Sequence, residues 1–298
     1  MTSSSCSTEG VECLRRVFAT KAEIEIKTGN VNNWTELKMK RFTNGSEELV
    51  EALKLLLADA DRNQKCPLGW QISDDEWLCQ NSPLCQRSEN WGGQTREDLK
   101  VTVKVFLTEL DMGHVCEAVS SVLRILETDY VEQLIVAFPE IELNLPDTAE
   151  EAEEAAGWLE RIRPLWTELE SRTACRDTKA PFLQVGVADL DYAQLKALHD
   201  WAPTLKPNID HYSLAGCCSV PTELQEFARA RDIQLLTHND PREFFAPKRL
   251  QAICVDALDV RDACCLDWTT KWVARYTVLI RNRSVLTAKG YALKFWKK

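Results

Sequence analysis

The sequence predicts an α/β protein built as a (β/α)8 barrel of the TIM type, with one irregular insertion. Strand-like and helix-like stretches alternate along most of its 298 residues, and nearly eight such pairs fit the length of one barrel. A doubly wound sheet is the alternative. It is disfavoured because the chain contains no G-x-G turn of the kind that binds phosphate in that fold.

The individual elements follow from hydrophobic periodicity. Residues 22–30 are predicted to form a short strand and turn, and residues 46–63 place four leucines on one helical stripe behind a serine cap. Further strands are predicted at 101–108, 133–138, 182–188, 209–214, 233–238 and 277–287. Further helices are predicted at 114–127, 149–172, 191–201, 222–231 and 267–275.

The predicted domain organisation is simple. Residues 1–20 are expected to form a polar, flexible N-terminus, and residues 21–298 a single barrel domain. Residues 62–97 mix proline, glycine, tryptophan and cysteine without periodicity, which predicts an insertion or a long surface loop. The opening "MTSSSCSTEG" has neither the basic start nor the apolar core of a secretory signal, so a cytoplasmic location is expected.

Composition limits the classes of partner. With 45% hydrophobic and 28% charged residues the chain can bury a full core. Its formal net charge of −10 makes it unsuited to nucleic acid or an anionic membrane surface, since both are polyanions. No apolar run is long enough to span a bilayer.

Cysteines and known motifs give little evidence for catalysis or metal binding. The twelve cysteines are expected to be thiols, and the adjacent pairs Cys217-Cys218 and Cys264-Cys265 lack C-x-x-C spacing. No metal site is therefore expected. P-loop, H-E-x-x-H and G-x-S-x-G motifs are absent from the sequence.

A lysine in the middle of a predicted strand raises a specific question. In "VTVKVFLTEL" (101–110) three valines and a leucine share one face, and Lys104 lies on the other. A buried ammonium group loses solvation, so it needs a compensating partner. The alternative is an exposed edge strand with Lys104 in solvent.

Five stretches in a shared order resemble the aldo-keto reductases, barrel oxidoreductases that use NADPH. They are "NGSEELVEAL" (44–53), "VTVKVFL" (101–107), "EQLIVAFP" (132–139), "VGVADLDYAQL" (185–195) and "RNRSVLTAKGY" (281–291). The resemblance implies a barrel covering most of the chain. It also implies an alternative function, that of an NADPH-dependent aldo-keto oxidoreductase.

Other stretches resemble a noncatalytic family within that superfamily, the regulatory (modifier) subunits of glutamate–cysteine ligase. They are "TGNVNNWTELK" (28–38), "GSEEL" (45–49), "LAGCCSVPTEL" (214–224), "DIQLLTHNDP" (232–241) and "AKGYAL" (288–293). This resemblance implies a heterodimer with the catalytic subunit of the ligase, which makes the precursor of glutathione. It implies a higher apparent affinity for glutamate and relief of glutathione feedback inhibition, with no chemistry of the chain's own.

The reductase resemblance also implies a catalytic tetrad of tyrosine, lysine, aspartate and histidine, of which this chain keeps Lys104. The other three positions fall at Arg41 or Phe42, near Leu37 or Lys38, and at Ala137. The nicotinamide-binding positions hold Ala188-Asp189 and His211. Lys104 is therefore expected to be vestigial and to face the barrel interior, with Glu109 or another nearby carboxylate as its partner.

The basic C-terminal region is a candidate cofactor site. From Arg275 to Lys298 there are seven basic residues and no acid. By resemblance Lys289 and Arg283 are the candidates for holding a cofactor phosphate, so residual NADPH binding is implied although no cofactor is required. An exposed basic end and a contact with the partner subunit are the alternatives.

The partner-binding and redox candidates lie in loops at the face where such barrels carry function: His238, Asn239, Asp240, Cys217 and Cys218. Because the implied pathway makes glutathione, we hypothesise that Cys217 or Cys218 responds to the redox state. The alternatives are a capped turn at Asn239-Asp240 and two cysteines packed in the core.

Overall fold

The computed structural model describes residues 22–62, 70–72, 77–79, 93–143, 150–174, 181–215, 219–258 and 267–297. Its strands are β1 (Glu23–Lys27), β2 (Trp70–Ile72), β3 (Trp77–Cys79), β4 (Leu99–Leu107), β5 (Val131–Ala137), β6 (Phe182–Ala188), β7 (Ile209–Ser213), β8 (Gln234–His238), β9 (Trp268–Ile280) and β10 (Val285–Lys297). Its α-helices are α1 (Thr35–Lys38), α2 (Gly45–Arg62), α3 (Met112–Leu126), α4 (Glu151–Ala174), α5 (Tyr192–Trp201), α6 (Thr222–Ala230) and α7 (Arg249–Leu258).

The chain divides into two compact units. One is Val101–Phe244, called here the parallel unit, and the other combines Met1–Lys100 with Phe245–Lys298, called here the hairpin unit. In the parallel unit β4 to β8 pair in parallel with their neighbours in chain order, and α3 to α6 separate them in sequence. This alternation confirms the predicted α/β class, and its parallel strand–helix units are those of the (β/α)8 type.

The strands β4 and β5 form where the sequence is rich in apolar residues. All seven residues of β5 are buried, and Val103 and Val105 of β4 are fully buried. Such runs are typical of parallel strands whose two faces are both covered. In contrast, β6 has two exposed residues and β8 has no buried one. The predicted strands at 101–108, 133–138, 182–188, 209–214 and 233–238 are confirmed with shifts of one or two residues.

Side-chain caps fix where the helices after the strands begin. The Asp111 carboxylate accepts a hydrogen bond of 2.6 Å from the backbone N–H of Gly113 at the start of α3. At α5, Asp191 and Gln194 form a reciprocal capping box. The four helices predicted in this unit are confirmed, with all boundaries within two residues.

The hairpin unit is antiparallel. β10 pairs with β1 on one side and with β9 on the other. Large aromatic side chains fill its core, among them Trp268, Trp272, Tyr276 and Phe295. An ion pair 3.1 Å long between Lys54 on α2 and Asp256 on α7 joins these two helices.

Two predictions in this unit are wrong. Residues 267–275 were expected to be a helix, yet they form the first part of β9. Burial of Trp268, Thr270 and Trp272 at every second position is the period of a strand, and the long cross-strand pairing with β10 supports it. The predicted strand 277–287 instead spans the end of β9, the turn and the beginning of β10.

The predicted insertion at 62–97 lies largely outside the described residues. Within it β2 and β3 pair as a short antiparallel ladder, and residues 96–98 form a 3-10 turn capped reciprocally by Thr95 and Asp98. Among the described residues, no helix is both long and apolar enough to cross a membrane.

Candidate functional site

Ionisable side chains converge at the carboxyl ends of strands in the parallel unit. We call Lys104, Asp189, Asp210, His211, His238 and Asp240 the Lys104 cluster. Lys104 lies on β4, and two of the residues lie on β7. His238 ends β8, Asp189 directly follows β6, and Asp240 lies two residues after the end of β8. Because parallel strands end at one edge of their sheet, the topology brings together residues that are up to 136 positions apart in sequence.

Lys104 is buried, and its amino group has polar neighbours. It is 2% exposed, which rules out the alternative of a lysine in solvent. Its Nζ lies 3.0 Å from Nε2 of His238 and 3.7 Å from Oδ2 of Asp240, and 4.9 Å from the ring centre of Phe106. The expectation of a nearby carboxylate is met by Asp240, whose charge offsets part of the desolvation cost of the ammonium group.

Both ring nitrogens of His238 have polar neighbours. The backbone N–H of Asp240 donates to Nδ1 of His238 over 3.0 Å. Nε2 lies 3.0 Å from the backbone carbonyl oxygen of His211 and 3.0 Å from Nζ of Lys104. Oδ1 of Asp189 lies at the same distance from Nε2. Contacts at both ring nitrogens therefore restrict rotation of the His238 side chain.

Asp210 is the most deeply buried acid of the cluster. It has no exposed surface. Burial, and next the negative charge of Asp189, raise the pKa of Asp210 well above its ordinary value, while the positive charge of Lys104 opposes this shift. The neutral carboxylic acid is therefore strongly favoured relative to an exposed aspartate.

One carboxylate of the cluster lies near the charge of Lys104. Nζ of Lys104 lies 3.7 Å from Oδ2 of Asp240, and the rings of His211 and His238 meet edge to face with centroids 4.4 Å apart. In a reductase a lysine would instead lower the pKa of a proton-donating tyrosine. The position expected for the catalytic histidine holds Ala137, which pairs in register with Ala188 of β6.

Lys289 and Arg283, the two candidates for holding a cofactor phosphate, lie in different surroundings. Nζ of Lys289 forms a 2.6 Å ion pair with Oε2 of Glu48, and the Tyr291 hydroxyl donates to the same oxygen over 2.5 Å. The charge of Lys289 is therefore already compensated within the hairpin unit. Arg283 is exposed in the turn between β9 and β10. Their role in holding a cofactor phosphate stays a prediction.

The partner-binding candidates are only partly at the surface. His238 and Asp240 point into the Lys104 cluster, with side chains 7% and 3% exposed, while Asn239 between them is exposed. Cys217 and Cys218 lie outside the described residues. Sequence reasoning selected His238, Asp240 and Lys104 for separate reasons and did not predict that they contact each other. Within the described part of the chain, no group of three or more His, Cys, Asp or Glu side chains could hold a metal ion.

Comparisons with known proteins identify the family. No family model matches the chain. It is 30% identical over 283 residues to a human protein named glutamate–cysteine ligase regulatory subunit, covering 94% of this chain and 95% of the human one. It is 22% identical over 301 residues to a putative glutamate–cysteine ligase regulatory subunit of Schizosaccharomyces pombe, covering 92% of this chain and 96% of the yeast one.

Solved structures add only a weak similarity. An aldo-keto reductase complexed with NADPH is 16% identical, with a TM-score of 0.35 over 51% of this chain and 42% of that one. The aldose reductase of Schistosoma japonicum is also 16% identical, with a TM-score of 0.33 over 47% of this chain and 46% of that one. Scores this low carry no argument about the chain. On the full-length sequence similarity, the chain belongs to the family of glutamate–cysteine ligase regulatory subunits.

Proposed function

We propose that this chain regulates glutamate–cysteine ligase by binding the catalytic subunit of that enzyme, and that it has no catalytic activity of its own. The observation that carries the proposal is the 30% identity to named regulatory subunits over 94% of the chain. Similarity along almost the entire length argues for a shared role of the whole protein. A match confined to one structural unit would argue only for a shared module.

The proposed effect is a higher apparent affinity of the ligase for glutamate and relief of its inhibition by glutathione. Binding can have this effect only when the regulatory chain binds the glutamate-competent conformation of the catalytic subunit more tightly than the inhibited one. By linkage, glutamate must then tighten the complex by the same factor, and glutathione must weaken it. The chain would contribute coupling free energy and no reacting group.

The Lys104 cluster supports the noncatalytic part of the proposal. Its lysine has an imidazole and a carboxylate as close neighbours, and Lys104 and Asp240 are both almost fully buried. An ammonium group beside a buried carboxylate is less available to polarise a substrate than an unpaired one. We further propose that the chain requires no cofactor. Lys289, the candidate for a phosphate contact, already pairs with Glu48.

Titrating the catalytic subunit with this chain tests the proposal. The apparent KM for glutamate and the inhibition constant of glutathione are measured at increasing ratios of the two proteins. We expect KM to fall and the inhibition constant to rise until the ratio reaches one to one. NADPH oxidation is recorded in parallel with a panel of aldehydes. Unchanged ligase kinetics together with NADPH consumption would contradict the proposal and support the oxidoreductase alternative.

A further inference from the structure

The parallel unit contains a cavity of about 510 Å³ between two of its helices, which we call the α3–α4 cavity. Side chains of α3 and α4 line it, and the rest of its lining comes from β5 and from the beginning of β6. Its apolar lining includes Met112, Val115, Val119, Leu134, Leu169 and Phe182. Sites for small molecules are typically about 300–1,000 Å³ in volume and mainly apolar, so this cavity has the size and the surface of a ligand site.

The sequence of α3 explains why space remains here. The residues that α3 contributes to the lining are at positions 112, 115, 116, 119 and 120, a spacing that places them on one face of the helix. After Met112 they are two valines, a cysteine and a serine, so this face carries short side chains. The equivalent stripe of α2 consists of four leucines, all of them at least 98% buried. Short side chains leave a gap that leucines would fill.

The α3–α4 cavity is open to solvent on one side. Ser120 on α3 and Ser171 on α4 belong to its lining and are exposed, and Cys116 is half-buried. Val115 and Leu134, by contrast, are fully buried. A small molecule can therefore enter past the two serines and reach apolar surface without unfolding a helix.

Arg172, near the end of α4, supplies a hydrogen-bond donor to the lining. Its Nε and Nη2 both bind Oε1 of Glu168, over 3.2 Å and 2.6 Å. Its Nη1 has no hydrogen-bond partner among the residues that the structure describes. That nitrogen carries two N–H groups. The guanidinium is therefore held in place by Glu168 and still has donors for an acceptor on a ligand.

The charges around the cavity favour an uncharged ligand over an anion. Burial is the main cause that raises the pKa of the Cys116 thiol, and the positive charge of Arg172 opposes it. Three carboxylates raise the pKa of the thiol further: Glu168, Asp111 and Glu117. An anion bound beside Cys116 would meet these three negative charges and one guanidinium that is already paired.

We propose that the α3–α4 cavity binds an uncharged apolar small molecule that carries a hydrogen-bond acceptor such as a ketone oxygen. The valines and leucines of the wall surround the apolar body of the ligand, and Nη1 of Arg172 donates to its acceptor. This inference goes beyond the proposed function and does not depend on it, because it concerns the free chain.

The experiment titrates the full-length chain with prodan, an uncharged naphthalene whose ketone accepts a hydrogen bond and whose emission shifts to the blue in apolar surroundings. Anilinonaphthalene sulfonate, an anionic probe of similar size, is the comparison. Ser120→Phe and Ser171→Phe each place a ring in the cavity from an exposed position, on different helices. Thr167→Phe is the matched control, because Thr167 is exposed on α4 and is not part of the lining. The thermal midpoint of each variant shows whether it is folded.

We expect the wild-type chain to bind one molecule of prodan with a blue shift, and to bind it more tightly than the anionic probe. Ser120→Phe and Ser171→Phe should each weaken prodan binding by about tenfold or more, because the added ring occupies volume that the ligand needs. Thr167→Phe should bind both probes like the wild type.

Two charge variants test the polar part of the site. Arg172→Gln should weaken prodan binding by about threefold to tenfold, because it removes the donor for the ketone. Glu168→Gln should tighten binding of the anionic probe and leave prodan binding nearly unchanged, because it removes a negative charge at an exposed position.

Other outcomes would overturn the inference. Prodan that does not bind, or that binds equally to the wild type and to the variants at Ser120 and Ser171, would show that the cavity is not a ligand site. Tighter binding of the anionic probe than of prodan would overturn the assignment of an uncharged ligand. Variants at Ser120 and Ser171 that lose binding to the catalytic subunit, when the wild type binds no prodan, would show that the cavity receives a side chain of that protein. The proposed function is tested separately, by the ligase kinetics.

Discussion

Replacing Asp210 with asparagine should stabilise the protein increasingly as the pH rises. Asp210 is completely buried, and burial raises its pKa well above the ordinary value of 3.8. In the unfolded chain the group ionises near pH 4, whereas in the folded chain it keeps its proton to higher pH. Below the unfolded pKa its contribution is fully present, and it is lost as the pH rises toward the folded pKa.

The size of the effect follows from linkage. Between the two pKa values, the wild type should lose about 1.4 kcal/mol of unfolding free energy per pH unit relative to Asp210→Asn. The asparagine stays neutral and has nearly the same shape, so the comparison isolates the titration. Urea unfolding at half-unit steps from pH 4 to pH 8 measures the difference between the two proteins.

Asp200→Asn provides the control with the opposite sign. A hydrogen bond from Lys196 is the main cause that lowers the pKa of Asp200, so that carboxylate stabilises the fold above its unfolded pKa. Its substitution should therefore give no stabilisation that grows with pH. Parallel stability profiles for wild type and Asp210→Asn would refute the reasoning. A loss of stability in Asp210→Asn at neutral pH would show instead that an ionised Asp210 pairs with Lys104.

Three further substitutions test packing and ion pairs within each unit. Gly290→Ala should cost about 3 kcal/mol or more in urea unfolding, because its new methyl group would overlap the carbonyl oxygen of Gly29. Glu48→Gln should cost about 1–3 kcal/mol, because it leaves the partly buried Lys289 without its 2.6 Å ion-pair partner. Lys104→Met should lower the unfolding free energy by about 3–5 kcal/mol through the carboxylates left unpaired, and the effect on ligase kinetics should persist at temperatures where the variant is folded.

Sequence periodicity was sufficient for β4 and β5 because most of their residues are buried. In β5 every residue is buried, so the apolar run itself marks the strand. The capping residues Asp111 and Asp191 follow the strands closely, and they separate strand from helix within a few residues. Local signals and tertiary packing agree in this part of the chain, and its elements could be predicted for that reason.

Periodicity was ambiguous for β9. Its sequence, "WTTKWVARYTVLI", is buried at alternate positions near its start, but Trp272, Val273 and Ala274 are buried in succession. Apolar positions three and four apart can also be fitted to a helix, which explains the wrong prediction. Cross-strand pairing with β10 shows that these residues form a strand. That partner strand follows a turn that the local sequence pattern did not indicate.

The sequence indicated every member of the Lys104 cluster except Asp210, but not the contacts between them. The sequence selected Lys104 because a lysine stands within an apolar strand, and it selected His238 and Asp240 because they follow another strand. The contact between them depends on the register of the five strands from β4 to β8. This register places Nζ of Lys104 3.0 Å from Nε2 of His238, although the two residues are 134 positions apart in sequence. Register is set by pairing across the whole sheet, so no single stretch of sequence contains it.

Burial separates the residues that hold this protein together from those that can regulate another one. A regulatory subunit changes its partner only through contacts that differ between the partner's two conformations, and such contacts need accessible side chains. Lys104 and Asp240 are 2% and 3% exposed, so any effect they have on a partner must pass through the positions of their neighbours. Exposed side chains such as Arg283 can contact a partner directly. Under the proposed function, therefore, the coupling free energy has to come from the surface and not from the buried lysine that most resembles a catalytic group.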